Sequence, residues 1–160
     1  MRILSGVEAR RAMRSVLKAG EVASKSGCGR AKCGSIIVNN GKIIGEGFNS
    51  SAGGEDKRCG VSKADFDLKV TDKTCCVHAE QRAIMNALSR NGDRIVGSRL
   101  YFARLDKEGE VSFAGDPYCT ICSKMALDVG ISEFVLFREE GICVFDTKEY
   151  NDLSFEYMSG

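Results

Sequence analysis

The chain has no tryptophan, one proline and one histidine among its 160 residues. Without tryptophan it is poorly equipped to stack an extended single strand of nucleic acid. An excess of either charge is missing too: 23 Lys and Arg stand against 22 Asp and Glu, for a net charge of +1. Nothing in that balance steers the molecule onto a phosphate backbone, so nucleic acid is a disfavoured partner, although local basic patches remain compatible with it. No stretch approaches the roughly 20 consecutive apolar residues that span a bilayer. The opening Met1-Arg2-Ile3-Leu4-Ser5 lacks the apolar run of a signal peptide. The expectation is a cytoplasmic chain with no membrane segment.

Cysteine, by contrast, is abundant, with eight in the chain. In a secreted protein that number would suggest a disulfide framework. Here no export signal precedes them, and Cys119 and Cys122 have the spacing of metal ligands, which favours a reduced protein. A length of 160 residues is sufficient for one domain, residues 1–160, to bury a continuous core without disulfides.

Ser5-Gly6-Val7-Glu8 has the form of a capping box and predicts a helix running to about Ser24. Ser35–Val38 and Lys42–Gly45 read as two strands joined through Asn39-Asn40-Gly41, a hairpin turn. From Ser50 to about Thr74 there is no clear periodicity, which predicts a long loop with a short helix near Ala64 to Leu68. Helical spacing returns over Val77 to Leu88, with Asn91-Gly92 as the stop. Leu100–Ala103 is the next strand, and Glu110–Phe113 pairs back onto it. Pro117 precedes a helix from about Cys119 to Val129, closed by Gly130. Strands follow at 134–137 and 142–145, then a last helix over Thr147 to Tyr157. Helices alternating with strands after an initial hairpin indicate an α/β domain with a mixed sheet.

Two short motifs carry the chemistry. Cys76-Val77-His78-Ala79-Glu80 opens one predicted helix, and Pro117-Tyr118-Cys119-Thr120-Ile121-Cys122 opens another. His78, Cys119 and Cys122 supply one nitrogen and two sulfurs, a suitable donor set for Zn2+ that leaves the fourth tetrahedral position to water. Residues at i and i+3 share a helix face, so both sulfurs can reach one ion, and helix N-termini favour thiolates. Bound zinc brings its water to a roughly neutral pKa, and Glu80 is placed to move that water's proton. Taken alone, the Cys-x-x-Cys pair reads equally as a redox pair or half of a structural zinc site. Only together with His78 and Glu80 does it read as hydrolytic.

With those residues the chain resembles the zinc-dependent cytidine/deoxycytidylate deaminase superfamily, whose signature is H-x-E followed by P-C-x-x-C. The resemblance extends from about Ser24 to Phe137 and includes Gly34–Val38, Gly47-Phe48-Asn49 and Gly130-Ile131. It implies a three-layer α/β/α fold around a five-stranded mixed sheet, with zinc held between two helix N-termini. It also implies His78, Cys119 and Cys122 as ligands, Glu80 as catalytic proton shuttle and Asn49 as a sugar contact. Tyr118 intervenes between Pro117 and Cys119, where the family usually has the proline adjacent. Tyr118 is either part of the pocket wall or a packing residue.

The implied reaction is hydrolytic deamination at C4 of a cytosine ring by zinc hydroxide, with dCMP converted to dUMP as the first expectation. Ser51 replaces the glutamate typical of free-cytidine deaminases, and the segment Ser24–Arg30 looks more like deoxycytidylate deaminases. Arg30 and Lys32 are candidates for the 5′-phosphate, with ordinary surface charge as the other reading. Arg82 stands where deoxycytidylate deaminases often have asparagine. Phe48 is read either as packing on the base or as core, and Ala79 is taken as a substrate contact beside the ligands. The alternatives are a free cytidine or deoxycytidine deaminase, an RNA or single-stranded DNA base-editing deaminase, and a non-catalytic zinc module. The last has no use for Glu80.

The remaining cysteines are buried small hydrophobes or a second, structural zinc site built from Cys28, Cys33, Cys59 and either Cys75 or Cys76. The resemblance implies a homo-oligomer.

Overall fold

The computed structural model describes residues 1–54 and 75–158. The expected Ala64–Leu68 helix and Cys59 lie outside the described residues.

Strand β1 (Arg2–Ile3) leads into helix α1 (Gly6–Ala23), followed by the hairpin β2 (Lys32–Asn39) and β3 (Lys42–Phe48). Asn40 and Gly41 form its two-residue turn, both at positive φ, +48° and +75°. Asparagine and glycine tolerate that backbone, and it matches the twist of the flanking strands. A two-stranded ribbon of β4 (Ser50–Ser51) and β5 (Cys76–Val77) then feeds α2 (Ala79–Asn91). The chain continues through β6 (Arg99–Leu105), β7 (Val111–Ser112), α3 (Thr120–Asp128), β8 (Glu133–Arg138), β9 (Gly141–Asp146) and α4 (Thr147–Glu156).

The main sheet runs β1-β9-β8-β6-β2-β3, with β7 on β6. Five long strands were expected; β1 and β7, two residues each, extend them to seven. Among the described residues only β6 and β8 pair in parallel, and α3 lies between them in the chain as the crossover.

Adjacent residues in the central strands face opposite sides. Ile37, Leu100 and Phe134 join the core under α2, α3 and α4, while Ile36, Tyr101 and Val135 join the core under α1. That alternation produces the three layers and explains why these strands read as continuous apolar runs. Glycine lets the layers approach closely. A Cβ on Gly34 would lie 2.2 Å from the Ala19 carbonyl oxygen of α1.

Ser5 occupies the N-cap of α1, but its side chain makes no capping hydrogen bond. Glu8, the expected partner, faces Arg2 at 3.4 Å instead. No helix among the described residues is long and apolar enough to cross a membrane.

Candidate metal centre and active site

His78 is the N-cap of α2 and Cys119 the N-cap of α3, so two helix starts converge. His78 Nδ1 lies 3.3 Å from Cys122 Sγ and 3.3 Å from Cys119 Sγ. Zn–N and Zn–S bonds of about 2.0 and 2.3 Å in a tetrahedron put N and S about 3.5 Å apart, so the spacing matches one shared zinc ion. These three form the one such cluster among the described residues, their ligand atoms lying within 4.8 Å of one another. Gln81 fixes the histidine's backbone: the His78 N–H donates to Gln81 Oε1 at 3.0 Å. This i to i+3 contact is a helix-start pattern visible in the sequence, and it went unread there.

The charges around the cluster suit a cation. Cys119 is drawn down to about 4, first by hydrogen bonding with Cys122 and then by His78 and the Cys122 backbone N–H, against the opposing effect of burial. Cys122 is pushed up, first by Cys119 and then by burial, because a second thiolate beside the first is unfavourable. A dication between them offsets that repulsion, so the donor set and its spacing fit zinc.

Glu80 sits in the first turn of α2 and is only 8% exposed. Burial, then the negative charge of Cys119, raises its pKa, while its own backbone N–H, His78 and Cys122 act the other way. Burial and the Cys119 charge both disfavour the charged carboxylate relative to a solvated glutamate. Tyr118 is 63% exposed as a residue. Its hydroxyl is nevertheless pushed up to about 12, by desolvation first and then by the charges of Glu80 and the cysteines. The Tyr118 ring meets that of Tyr157 at 5.7 Å. Behind the site, Tyr150 stacks on Phe134 at 4.0 Å, its hydroxyl raised by burial and then by Glu80. Tyr150 and Tyr157 belong to the C-terminal helical segment, where the sequence offered no motif to single them out.

The other candidates are placed unevenly. Ala79 is buried between His78 and Glu80, with its carbonyl against Gly47. Asn49 lies next to the β4–β5 ribbon, but its amide is engaged with backbone. Its Oδ1 accepts the Cys33 N–H at 2.8 Å, and its Nδ2 donates to the Ala31 carbonyl at 2.9 Å. Phe48 packs against the α1-side core, away from the ligands, because Gly47 beside it takes the α2-facing position of β3. A contact between Phe48 and the base is therefore not supported. Arg30 and Lys32 are exposed around the start of β2. Arg82 is turned to the ribbon, its Nη2 donating to the carbonyls of Ser50 and Ser51 at 3.3 and 3.1 Å.

The cysteines suggested for a second metal do not gather as one ligand group among the described residues. Cys75 and Cys76 touch, Sγ to Sγ, at 3.4 Å, and Cys28 interacts with Cys76. Cys33 lies at the start of β2, half-buried, with its backbone N–H on Asn49. Its thiol is raised to about 12 by burial and then by Glu80, with Arg104 acting the other way.

A buried acid beside a His-Cys-Cys zinc cluster, at the edge of an α/β/α sandwich, defines a hydrolytic zinc enzyme. The profile of the cytidine and deoxycytidylate deaminase zinc-binding region matches residues 8–138, and the chain belongs to that family. It is a zinc-dependent deaminase, with one catalytic zinc at the His78, Cys119 and Cys122 cluster.

Solved structures share the fold. The dCMP deaminase of cyanophage S-TIM5 in apo form is 24% identical, with a TM-score of 0.55 over 78% of this chain and 80% of that one. The same enzyme in complex with dCMP and dUMP gives 24% identity and a TM-score of 0.53 over 82% of both chains. Cytidine deaminase from Burkholderia pseudomallei gives 17% identity and a TM-score of 0.58, over 86% of this chain and 94% of that one. No curated protein sequence matches the chain.

Proposed function

We propose that the chain deaminates a cytosine nucleotide, dCMP to dUMP, with Glu80 as the proton carrier. The buried Glu80 carboxyl beside the ligand cluster carries this reading. When bound, zinc supplies the Lewis acidity that makes water a nucleophile near neutral pH. Glu80 accepts the proton lost by that water and delivers it to ring N3. It then takes the proton of the new C4 hydroxyl and passes it to the departing 4-amino group, leaving the C4 carbonyl. Water is consumed, the C4–N bond breaks, and ammonia leaves with uracil as the product ring. Tyr118 lines the mouth, and Arg30 with Lys32 holds the 5′-phosphate, since guanidinium and ammonium groups suit that dianion.

Two features support a nucleotide over a nucleoside. Ser51 occupies the position of the sugar-binding glutamate of free-cytidine deaminases, and exposed cations precede and begin β2. We further infer a homo-oligomer and a cytoplasmic location, the latter from the reduced cysteine chemistry of the site.

The test is the ratio of deamination rates on dCMP and deoxycytidine, with the Glu80→Ala protein as blank. A strong preference for dCMP that falls in Arg30→Ala supports the phosphate reading. Equal rates on the two substrates would move the proposal to a nucleoside deaminase.

A further inference from the structure

The sheet face covered by α1 carries a second concavity, distant from the zinc ligands. Strand register fixes its place. Val38 pairs with Arg99, and Arg99 with Glu133, at one end of the sheet, whereas Lys32 and Leu105 pair at the other, next to Cys33. The cavity occupies the Val38 end, between α1, the 39–41 turn and the start of β6, with a volume of about 670 Å³.

Arg11, Arg14 and Lys18 line it from α1, and their spacing of three and four residues sets them on one helix face. Opposite them are Val38, Ile43 and Tyr101. Two carboxylates also reach the cavity, but both are engaged by cations, Arg2 reaching Glu133 as well, at 3.1 Å. Glu133 holds Arg99 at 2.5 Å, and Glu8 faces Arg2 at 3.4 Å. Lys18 pairs with Glu21 on the helix exterior. Arg11 and Arg14 have no carboxylate partner among the described residues, so two guanidinium groups line the concavity beside carboxylates that other cations engage.

A guanidinium fork matches phosphate oxygens in pairs, and an aromatic and aliphatic wall suits a flat ring. The volume falls within the few hundred to about 1,000 Å³ of small-molecule sites. We propose that this cavity binds a phosphorylated small molecule of nucleotide size, with its phosphates on Arg11 and Arg14 and its ring portion against Tyr101 and Ile43. This site is separate from the reaction centre and does not depend on the substrate assigned there.

The experiment is calorimetric titration of the zinc-loaded full chain with ATP and, separately, with inorganic tripolyphosphate. The comparison protein is the double variant Arg11→Gln, Arg14→Gln. Both positions are exposed, so the variant should melt within a few degrees of the parent and deaminate at the parental rate without ATP. ATP is expected to bind the parent, more weakly as salt rises, and to bind the double variant at least about tenfold more weakly. Weaker binding of tripolyphosphate than of ATP supports the ring contact. Equal binding of the two by the parent would overturn that contact and leave a site for phosphate chains. Undiminished binding in the double variant, or no binding of either probe up to about 1 mM, would overturn the proposal.

Discussion

A Cβ on Gly47 would lie 2.5 Å from the backbone nitrogen of Ala83, closer than packed atoms approach. Gly45 is in the same position, with the Ala83 carbonyl at 2.6 Å. Strand β3 thus meets α2 backbone to backbone, and the helix that begins beside His78 is seated by two missing side chains. The absence of a methyl group on β3 fixes the height of a zinc ligand above the sheet.

Gly47→Ala should therefore cost about 1–3 kcal/mol or more by overpacking, and it should weaken zinc retention by lifting the start of α2. Thermal melting and zinc content measured together test this. A variant with parental melting temperature and full zinc would show that the helix has slack there.

Asn49→Ala should destabilise the chain independently of any effect on substrate. It removes the acceptor of the Cys33 N–H and the donor to the Ala31 carbonyl, each worth roughly 1–3 kcal/mol if its partner is left unsatisfied. Chemical denaturation of the substrate-free protein reads the effect. Parental stability with a raised KM would make Asn49 a substrate contact alone.

Removing zinc with a chelator should abolish turnover and lower the melting temperature, because the ion binds only the folded site and its loss leaves the Cys119 thiolate beside the Cys122 thiol without a dication. Readdition of zinc should restore both. A melting temperature indifferent to the chelator would mean that the metal is not seated in the folded site.

The ligand set was legible because its chemistry is local. Cys119 and Cys122 share a helix face by spacing alone, and His78 with Glu80 opens a helix that the apolar period announces. The hairpin was legible for the same reason, since Asn40-Gly41 encodes its own turn. What the sequence hid depends on which face another element covers. Phe48 lies beside a motif residue, yet the close approach of α2 at Gly47 turns it into the α1-side core. Tyr150 comes up behind the site only because α4 packs alongside α3 across the β8–β9 end of the sheet, a relation between distant segments. Arg82 read as a departure from the family pattern, and its role in holding the β4–β5 ribbon required that ribbon to be seen. At Ser5 a capping pattern was present and unused, since Glu8 has a cation within reach.

The most direct measurement is the rate of ammonia release from dCMP by the zinc-loaded protein, parent against Glu80→Gln, with zinc counted in both. The parent should turn over dCMP, and the variant should hold equal zinc with a rate lower by roughly 10²- to 10⁴-fold, the usual contribution of a positioned proton carrier. Equal rates in two proteins holding equal zinc would contradict it and remove Glu80 from the chemistry.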